Sequence, residues 1–506
     1  MDKKLTAPYA IPSMNERYRR WRSYAVLALM LGFIILTRII WPATNIDLLG
    51  DQARDLEIGR AVASGAALEY GVPTTGEFLL FPHYYYVMGL AARVSPAPLV
   101  SIYVHAASNI LAIGVFFLFA YRFLRERLGM AIVATSLIVF SYAHVWISNS
   151  IWNPNLLPLP LWSFLLLWAE LLSPDLSRFR TGLYALAAGA IMGFCAGLHA
   201  TALFAMPVIS WLLLFGVSRW RRQLLVTGMG LAGYVLTTAT YWHTEWRNDF
   251  RNTRAIADFL SGSGDNYLDF TWLQRLEFFG HNYIAGLFNI VNNYYLPKTY
   301  SGYIFLFSAL SLLGLTYFRA ARRYQQVAVV TLGVYLLVHA GLTGLDYLHF
   351  MVVGSFVPAL GITNLLGLRL DTLARKAMVG VSLGLVAFGL VSNIRLLDIY
   401  HTWKYDVEER SLNETDYTQL LTVVDAQDIT TLCVHPEFRR LREILRYYHR
   451  LEAYAAPLRV VTECGDAQYS GGIISLKHSV RWLTPQVTRE TTRIYETPLL
   501  HLDVTL

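Results

Sequence analysis

Arg17-Tyr18-Arg19-Arg20-Trp21-Arg22 runs directly into an apolar block from Tyr24 to Trp41, and that block is followed by Leu48-Leu49-Gly50-Asp51-Gln52-Ala53-Arg54-Asp55. This order of base, oil and acid decides the fold. The block is long enough to cross a bilayer as a helix. It is too long for the core of a signal peptide and lacks a small-residue cleavage site, so it reads as an uncleaved anchor. Beyond it, two carboxylates and a guanidinium fall within five residues. If Asp51 caps a short helix, Asp55 lies one turn along the same face, with Arg54 beside it. Charge packed that tightly at a membrane surface is either a helix cap with its own ion pair or the working end of an enzyme.

Composition generalises the first block to the whole chain. Of 506 residues 55% are hydrophobic and only 15% are charged, where soluble domains carry roughly a quarter. The apolar residues fall in blocks of about 17 to 22, the length of a membrane-crossing helix. The chain therefore reads as a polytopic α-helical membrane protein. Its net charge of +7 is no nucleic-acid signal, because Arg and Lys sit at the ends of the apolar blocks, where the positive-inside rule places them.

Basic clusters alternate with apolar blocks, so orientation follows. The first helix leaves the N-terminus in the cytoplasm. An outer loop over 42–97 carries the Asp51 stretch and ends in Phe81-Pro82-His83-Tyr84-Tyr85-Tyr86, with Phe78 to Val94 read as an interfacial segment. Helix two, near Leu99 to Phe119, returns to Arg122, Arg125 and Arg127; helix three, near Ala131 to Ile147, leads out to the turn Ser148 to Asn155; helix four reaches Arg178 and Arg180. Helices five and six turn at His199 and Thr201 and return to Arg219, Arg221 and Arg222, and helix seven ends near Trp242. A second outer loop covers 244–300. Helix eight leads back to Arg319, Arg322 and Arg323, helices nine and ten flank Gly344 to His349, and an eleventh helix emerges near Asn393 after Arg369, Arg375 and Lys376. About eleven spans put the C-terminus outside.

From 396 to 506 the composition becomes that of a soluble domain. Ile429 to Val434 and Leu458 to Val461 read as strands, and Glu437 to Leu451 as an amphipathic helix, giving a small outer α/β domain. Cys433 and Cys464 form a disulfide there or stand as buried thiols. Asn413-Glu414-Thr415 matches a glycosylation sequon, which matters only in a eukaryotic secretory lumen. No Walker loop is present, which argues against an ATP-driven pump.

The dense polar clusters all fall on the outer side: Asp51, Arg54 and Asp55; Glu77 and His83; Asn149, Asn153 and Asn155; His199; Arg247, Asp249, Arg251 and Arg254; Asp346 and His349. That side has no nucleotide pool, so an activated donor has to arrive attached to a lipid. Sugar transfer from a lipid phosphate needs a carboxylate to deprotonate or align the attacking hydroxyl, and cationic or hydrogen-bonding groups for the departing phosphate. Asp51 supplies the first, with Asp55 as backup or as the partner that positions Arg54. Metal assistance is possible but not required, since Asp51 and Asp55 lack an obvious cluster of further carboxylates for a divalent ion.

These residues carry a resemblance. Gly50-Asp51-Gln52-Ala53-Arg54-Asp55, Pro82-His83-Tyr84-Tyr85-Tyr86, Trp152-Asn153-Pro154-Asn155 and Gly197-Leu198-His199, in this order and on a common side, resemble the GT-C class of integral-membrane glycosyltransferases, specifically bacterial relatives of the protein O-mannosyltransferases and the lipid A aminoarabinose transferase. The resemblance covers the membrane half and implies that Asp51 is the base of an inverting transfer. It implies a polyprenyl-phosphate sugar, hexose or pentose, as donor and a glycan, lipid or protein as acceptor, in a bacterial inner membrane. The protein mannosyltransferases carry Asp-Glu where this chain has Asp51-Gln52, which weakens the case for a protein acceptor. Arg54, Asp55, His83, Tyr84, Tyr85, Asn153, Asn155, His199, Asp346 and His349 are the candidate substrate-binding residues.

Plainer readings stand beside these. Asp51 could be a helix cap with Arg54 neutralising Asp55, His83 and the tyrosines an aromatic belt, and Asn153 and Asn155 a turn around Pro154. His199 could be a satisfied helix terminus, Asp346 and His349 a wetted loop, and the arginines 247, 251 and 254 a solvated face or contacts to lipid phosphate. The rival functions are a lipid-substrate transporter, for which Asn109 and His144 would be the polar residues in mid-membrane, and a non-catalytic scaffold.

Overall fold

The computed structural model describes residues 14–44, 50–74, 78–140, 142–261 and 321–342, a few positions near 360 and 420, and five strands between 431 and 505. The helices are α1 (Met14–Ile35), which continues through a π-helical turn (Leu36–Ile40) into α2 (Trp41–Thr44), then α3 (Gly50–Ala63), α4 (His83–Val94), α5 (Pro98–Phe123), α6 (Leu128–Val139) and α7 (Tyr142–Ser148). A 3-10 turn (Asn153–Leu156) precedes α8 (Pro158–Leu171), α9 (Arg178–Ala196), α10 (Ala200–Leu214), α11 (Trp220–Arg247), α12 (Arg251–Ser261) and α13 (Arg322–Leu342).

Local chemistry sets many of the boundaries. Pro98 and Pro158 open α5 and α8 at a position where the missing N–H costs nothing. Ser177 caps α9 by accepting from Arg180 N, and His199 caps α10 by accepting from Thr201 N. Among the described residues, α5, α9 and α11 are long and apolar enough to cross a membrane. Their outward faces stay apolar: Leu111, Leu118, Leu224, Leu231 and Leu236 are all exposed. Water would not tolerate apolar surface on that scale, and lipid does. The core between the helices is aromatic, with Trp162, Phe116, Phe119 and Phe123 fully buried, and with Phe116 and Phe119 in edge contact with Trp162.

α9 and α11 pack backbone to backbone. A Cβ on Gly189 would fall 1.8 Å from Gly230 O, and one on Gly233 would fall 2.0 Å from Leu186 O. Small residues drive helix association in this way where no hydrophobic effect operates between helices.

Helix boundaries depart from the sequence reading at several places. The first helix does not stop at Trp41, because the π turn carries it on to Thr44. Helix seven runs to Arg247 rather than to Trp242. The block read as one helix from Ala131 to Ile147 breaks after Val139, whose carbonyl accepts from the Arg38 guanidinium at 3.2 Å. A side chain inserted into the ladder is a recognised cause of such a break.

The span 42–97 is also more built than a loop. Between α3 and α4 the chain folds back on itself, with Gly71 N donating to Leu80 O at 2.7 Å and Leu80 N to Val72 O at 3.0 Å.

The turns sort into two polar ends. At one, Arg323 pairs with Glu170 at 3.5 Å, Arg222 donates to Leu171 O, and Ala321 N donates to Phe123 O. The motif turns meet at the other.

In the C-terminal region β1 (Thr431–Val434), β2 (Arg459–Val461), β3 (Gly472–Leu476), β4 (Thr491–Glu496) and β5 (Leu500–Thr505) form one mixed sheet in the order β2-β1-β3-β5-β4. β1 is parallel to β2 and β3, and β5 is antiparallel to β3 and β4. The helix read at Glu437 to Leu451 and the pairing of Cys433 with Cys464 lie outside the described residues.

Candidate active site

Asp51 stands in the first turn of α3, the end of a helix that favours an anion. One turn later Asp55 falls on the buried side. Its side chain is 1% exposed, against 61% for Asp51 and 33% for Arg54 between them. Arg54 joins the two carboxylates. Its Nε and Nη2 donate to Asp55 Oδ1 at 3.0 and 2.8 Å, and its Nη1 donates to Asp51 Oδ1 at 3.2 Å.

α4 supplies the next layer. Gly59 on α3 and Gly89 on α4 let the helices touch: a Cβ at Gly89 would meet Val62 Cγ1 at 2.4 Å, and one at Gly59 would meet Met88 Cβ at 2.9 Å. This contact delivers the Tyr85 hydroxyl to Asp55 Oδ1 at 3.2 Å.

Burial pushes the Asp55 pKa up to about 6, with Arg54 and the Tyr85 hydroxyl pulling the other way. Burial alone would lower the Arg54 pKa, but Asp55 outweighs it and the guanidinium stays charged. Tyr84 and Tyr85 are both raised, chiefly by burial and then by Asp55, so both keep their protons. Asp55 Oδ2 and the Tyr84 hydroxyl are buried without a hydrogen-bond partner.

The other motifs gather around this helix turn. Gln52 Nε2 donates to Ser150 Oγ at 3.2 Å, and Asn155 Nδ2 to Ser150 O at 2.9 Å. Asn153 Nδ2 donates to Leu198 O at 2.5 Å, and Asn109 Nδ2 to both His105 O and Asn155 O at 2.9 Å. His83 Nε2 lies 2.8 Å from Thr237 O on α11, so that nitrogen carries the proton and Nδ1 is left as a buried acceptor with no partner. Burial lowers the His83 pKa, partly offset by the Thr237 carbonyl. A Cβ on Gly197 would fall 2.4 Å from His83 Nδ1, so the Gly197-Leu198-His199 turn closes directly on the His83 motif.

Asp51, Arg54, Asp55 and Tyr85 thus form one cluster. Asn153 and Asn155 are buried and bonded to backbone carbonyls, and His199 caps a helix. These three hold the turns together. An aromatic belt does not describe Tyr84 and Tyr85, which are buried; Tyr86 alone of the three is exposed. Glu77, Asp346 and His349 lie outside the described residues. Among the described residues no three His, Cys, Asp or Glu side chains group as metal ligands.

Residues not singled out in the sequence complete the frame. Glu245, fully buried near the end of α11, accepts from Tyr70 hydroxyl at 2.9 Å and from Thr253 N at 2.6 Å. The Asn252 side chain clamps the Leu79 backbone, its Oδ1 accepting from Leu79 N at 2.6 Å and its Nδ2 donating to Leu79 O at 2.8 Å. The start of the second outer loop thereby holds the end of the first. The only sequence signal for this was the richness of that loop in Arg, Asp, Asn and Tyr.

No protein-family model and no curated relative matches the sequence. Solved structures do resemble it. The lipid A aminoarabinose transferase ArnT of Cupriavidus metallidurans, solved with bound undecaprenyl phosphate, superposes with a TM-score of 0.61 at 13% identity, over 96% of this chain and 98% of that one. The oligosaccharyltransferase AglB of Archaeoglobus fulgidus, solved with an inhibitory peptide and a dolichol-phosphate, superposes with a TM-score of 0.53 at 13% identity, over 92% of this chain and 70% of that one. At this identity the likeness speaks for architecture alone: this chain shares the fold of these two proteins, both of which are GT-C glycosyltransferases.

Proposed function

We propose that the chain is a glycosyltransferase that moves a sugar, hexose or pentose, from a polyprenyl-phosphate donor to a glycan, lipid or protein acceptor on the outer face of a bacterial inner membrane. On this reading the chain crosses the membrane about eleven times, with the N-terminus in the cytoplasm and the 396–506 region outside. The donor's lipid enters sideways from the bilayer, and the reaction uses no nucleotide; metal assistance is possible but not required.

One observation carries this reading. In a chain with the GT-C fold, a carboxylate is presented at a helix N-terminus by an arginine that is itself anchored on a buried carboxylate. Asp51 takes the proton of the attacking hydroxyl as the hydroxyl closes on the anomeric carbon from the side opposite the phosphate, which inverts that centre. Arg54 supplies positive charge beside the reacting groups, and Asp55 with Tyr85 holds it there. Asn109, one of the two polar residues that would suit a transport path, is spent on the carbonyls of His105 and Asn155.

The test is Asp51→Asn in the full-length protein, offered undecaprenyl-phosphate hexoses and pentoses. Folding, read by elution volume and melting temperature, is expected to persist while release of undecaprenyl phosphate stops. Wild-type turnover in that variant would overturn the assignment.

A further inference from the structure

Arg38 is a fully buried cation on the first helix, inside the π-helical turn Leu36–Ile40. Pro42 explains the turn. It has no N–H to give to Arg38 O, and Trp41 N donates to Leu36 O instead. The carbonyl of Thr37 is left open, and Asn149 Nδ2 takes it at 2.8 Å.

The guanidinium donates from Nε to Ser148 Oγ at 3.2 Å, from Nη1 to Thr37 Oγ1 at 3.1 Å and from Nη2 to Val139 O at 3.2 Å. Among the described residues no carboxylate pairs with it. It therefore binds the open end of α6, the last residue of α7 and its own helix at once. The segment after Ser148 has no ladder of its own and is held by side chains. Its next residues are Asn149, bonded to Thr37 O, and Ser150, which accepts from Gln52 beside Asp51.

We infer that Arg38 is a positioning residue for the reaction proposed above. It fixes the Ser148–Ser150 turn against the first helix, and through Gln52 that turn fixes the place of Asp51. The inference rests on the reading of Asp51 as the base, so its test has one arm that needs no turnover.

Arg38→Met, Arg38→Lys and Ser148→Ala are made in the full-length protein and reconstituted in nanodiscs. With whichever undecaprenyl-phosphate hexose or pentose the wild type turns over, Arg38→Met is expected to lower kcat about tenfold or more and to leave the donor KM within about twofold. Arg38→Lys, which keeps the charge without the fork, recovers part of the loss. In the second arm Gln52→Cys and Ser150→Cys are joined by a short bis-methanethiosulfonate. Joining is expected to be efficient where Arg38 is kept and weak where Arg38→Met is added. If Arg38→Met does not fold, Ser148→Ala, which removes one acceptor and keeps the cation, carries both readouts in its place.

Unchanged joining, or an unchanged kcat in the folded variant, overturns the inference. Normal turnover of Asp51→Asn together with weak joining in Arg38→Met would remove Asp51 as base and leave Arg38 as the residue that sets the turn.

Discussion

Arg54 holds Asp55 by a single oxygen. Nε and Nη2 both donate to Oδ1, the Tyr85 hydroxyl adds a third bond to that atom, and Oδ2 is buried with no partner. Asp55 is thus an anchor for the guanidinium, and Arg54 is what keeps a buried carboxylate tolerable.

Removing either partner should be unequal in effect. Arg54→Leu strands Asp55 in the interior and should cost about 1–3 kcal/mol, less than a fully buried pair because Arg54 is partly exposed. Asp55→Asn leaves a partly solvated arginine and should cost less in stability while still lowering turnover, because Arg54 loses its fixed orientation. Thermal unfolding in detergent, alongside release of undecaprenyl phosphate, separates the two effects.

Asp55 also sets a pH signature. Its folded pKa, about 6, lies above its ordinary 3.8. Between those values the folded protein binds the proton that the unfolded chain has released. The contribution is therefore fully present below about pH 4 and is lost as pH rises through about 6. Relative to Asp55→Asn, the wild type should lose on the order of 2 kcal/mol across that window. Melting temperatures of the two proteins from pH 4 to pH 7 should diverge in that sense, and parallel curves would contradict the burial of Asp55.

The two polar ends, the Asp51 cluster and the convergence of four motifs were legible in the sequence. Charge at a helix end needs no tertiary information, and a turn between two apolar blocks can face only one of two sides. The uses of Asn153, Asn155 and His83 were not legible. An asparagine that contacts substrate and one that satisfies a carbonyl across the bundle look alike in the sequence. The break after Val139 was hidden for a similar reason. Nothing from Ala131 to Ile147 is Gly or Pro, and the group that opens the helix comes from Arg38, far away in the chain.

The α9–α11 contact should be intolerant of a single methyl. Gly189→Ala puts a Cβ 1.8 Å from Gly230 O. Gly230 O is backbone and an alanine Cβ is fixed rigidly to its own, so the helices have to part, at a cost of about 1–3 kcal/mol. Gly114→Ala on α5 meets nothing within 4 Å and should raise the melting temperature slightly, because alanine is favoured over glycine in a helix interior by about 0.5–1 kcal/mol. The pair therefore tests the packing rather than the chemistry of glycine.

Glu245 should be the outer frame's most sensitive carboxylate. Oε1 accepts from Tyr70 hydroxyl at 2.9 Å and Asn252 N at 3.3 Å, and Oε2 accepts from Thr253 N and Thr253 Oγ1, both at 2.6 Å. Two of these donors are backbone N–H groups in the first turn of α12, which have no partner within their own helix. The corner between α11 and α12 carries Asp249 at φ 51° and Phe250 at φ 55°, left-handed values that an aspartate tolerates and a phenylalanine does not. Glu245→Ala frees both amides and the strained corner together, and should cost about 2–4 kcal/mol. Glu245→Gln keeps one acceptor and turns the other into a donor. Tyr70 or Thr253 hydroxyl can rotate to accept from it, but a backbone amide cannot, so whichever way the amide is oriented one N–H loses its partner. The glutamine variant should therefore fall between the wild type and the alanine variant in melting temperature. Tryptic cleavage at Arg247 and Arg251 should rise in the same order, and equal behaviour of the two variants would place the strength of the corner elsewhere than in the carboxylate.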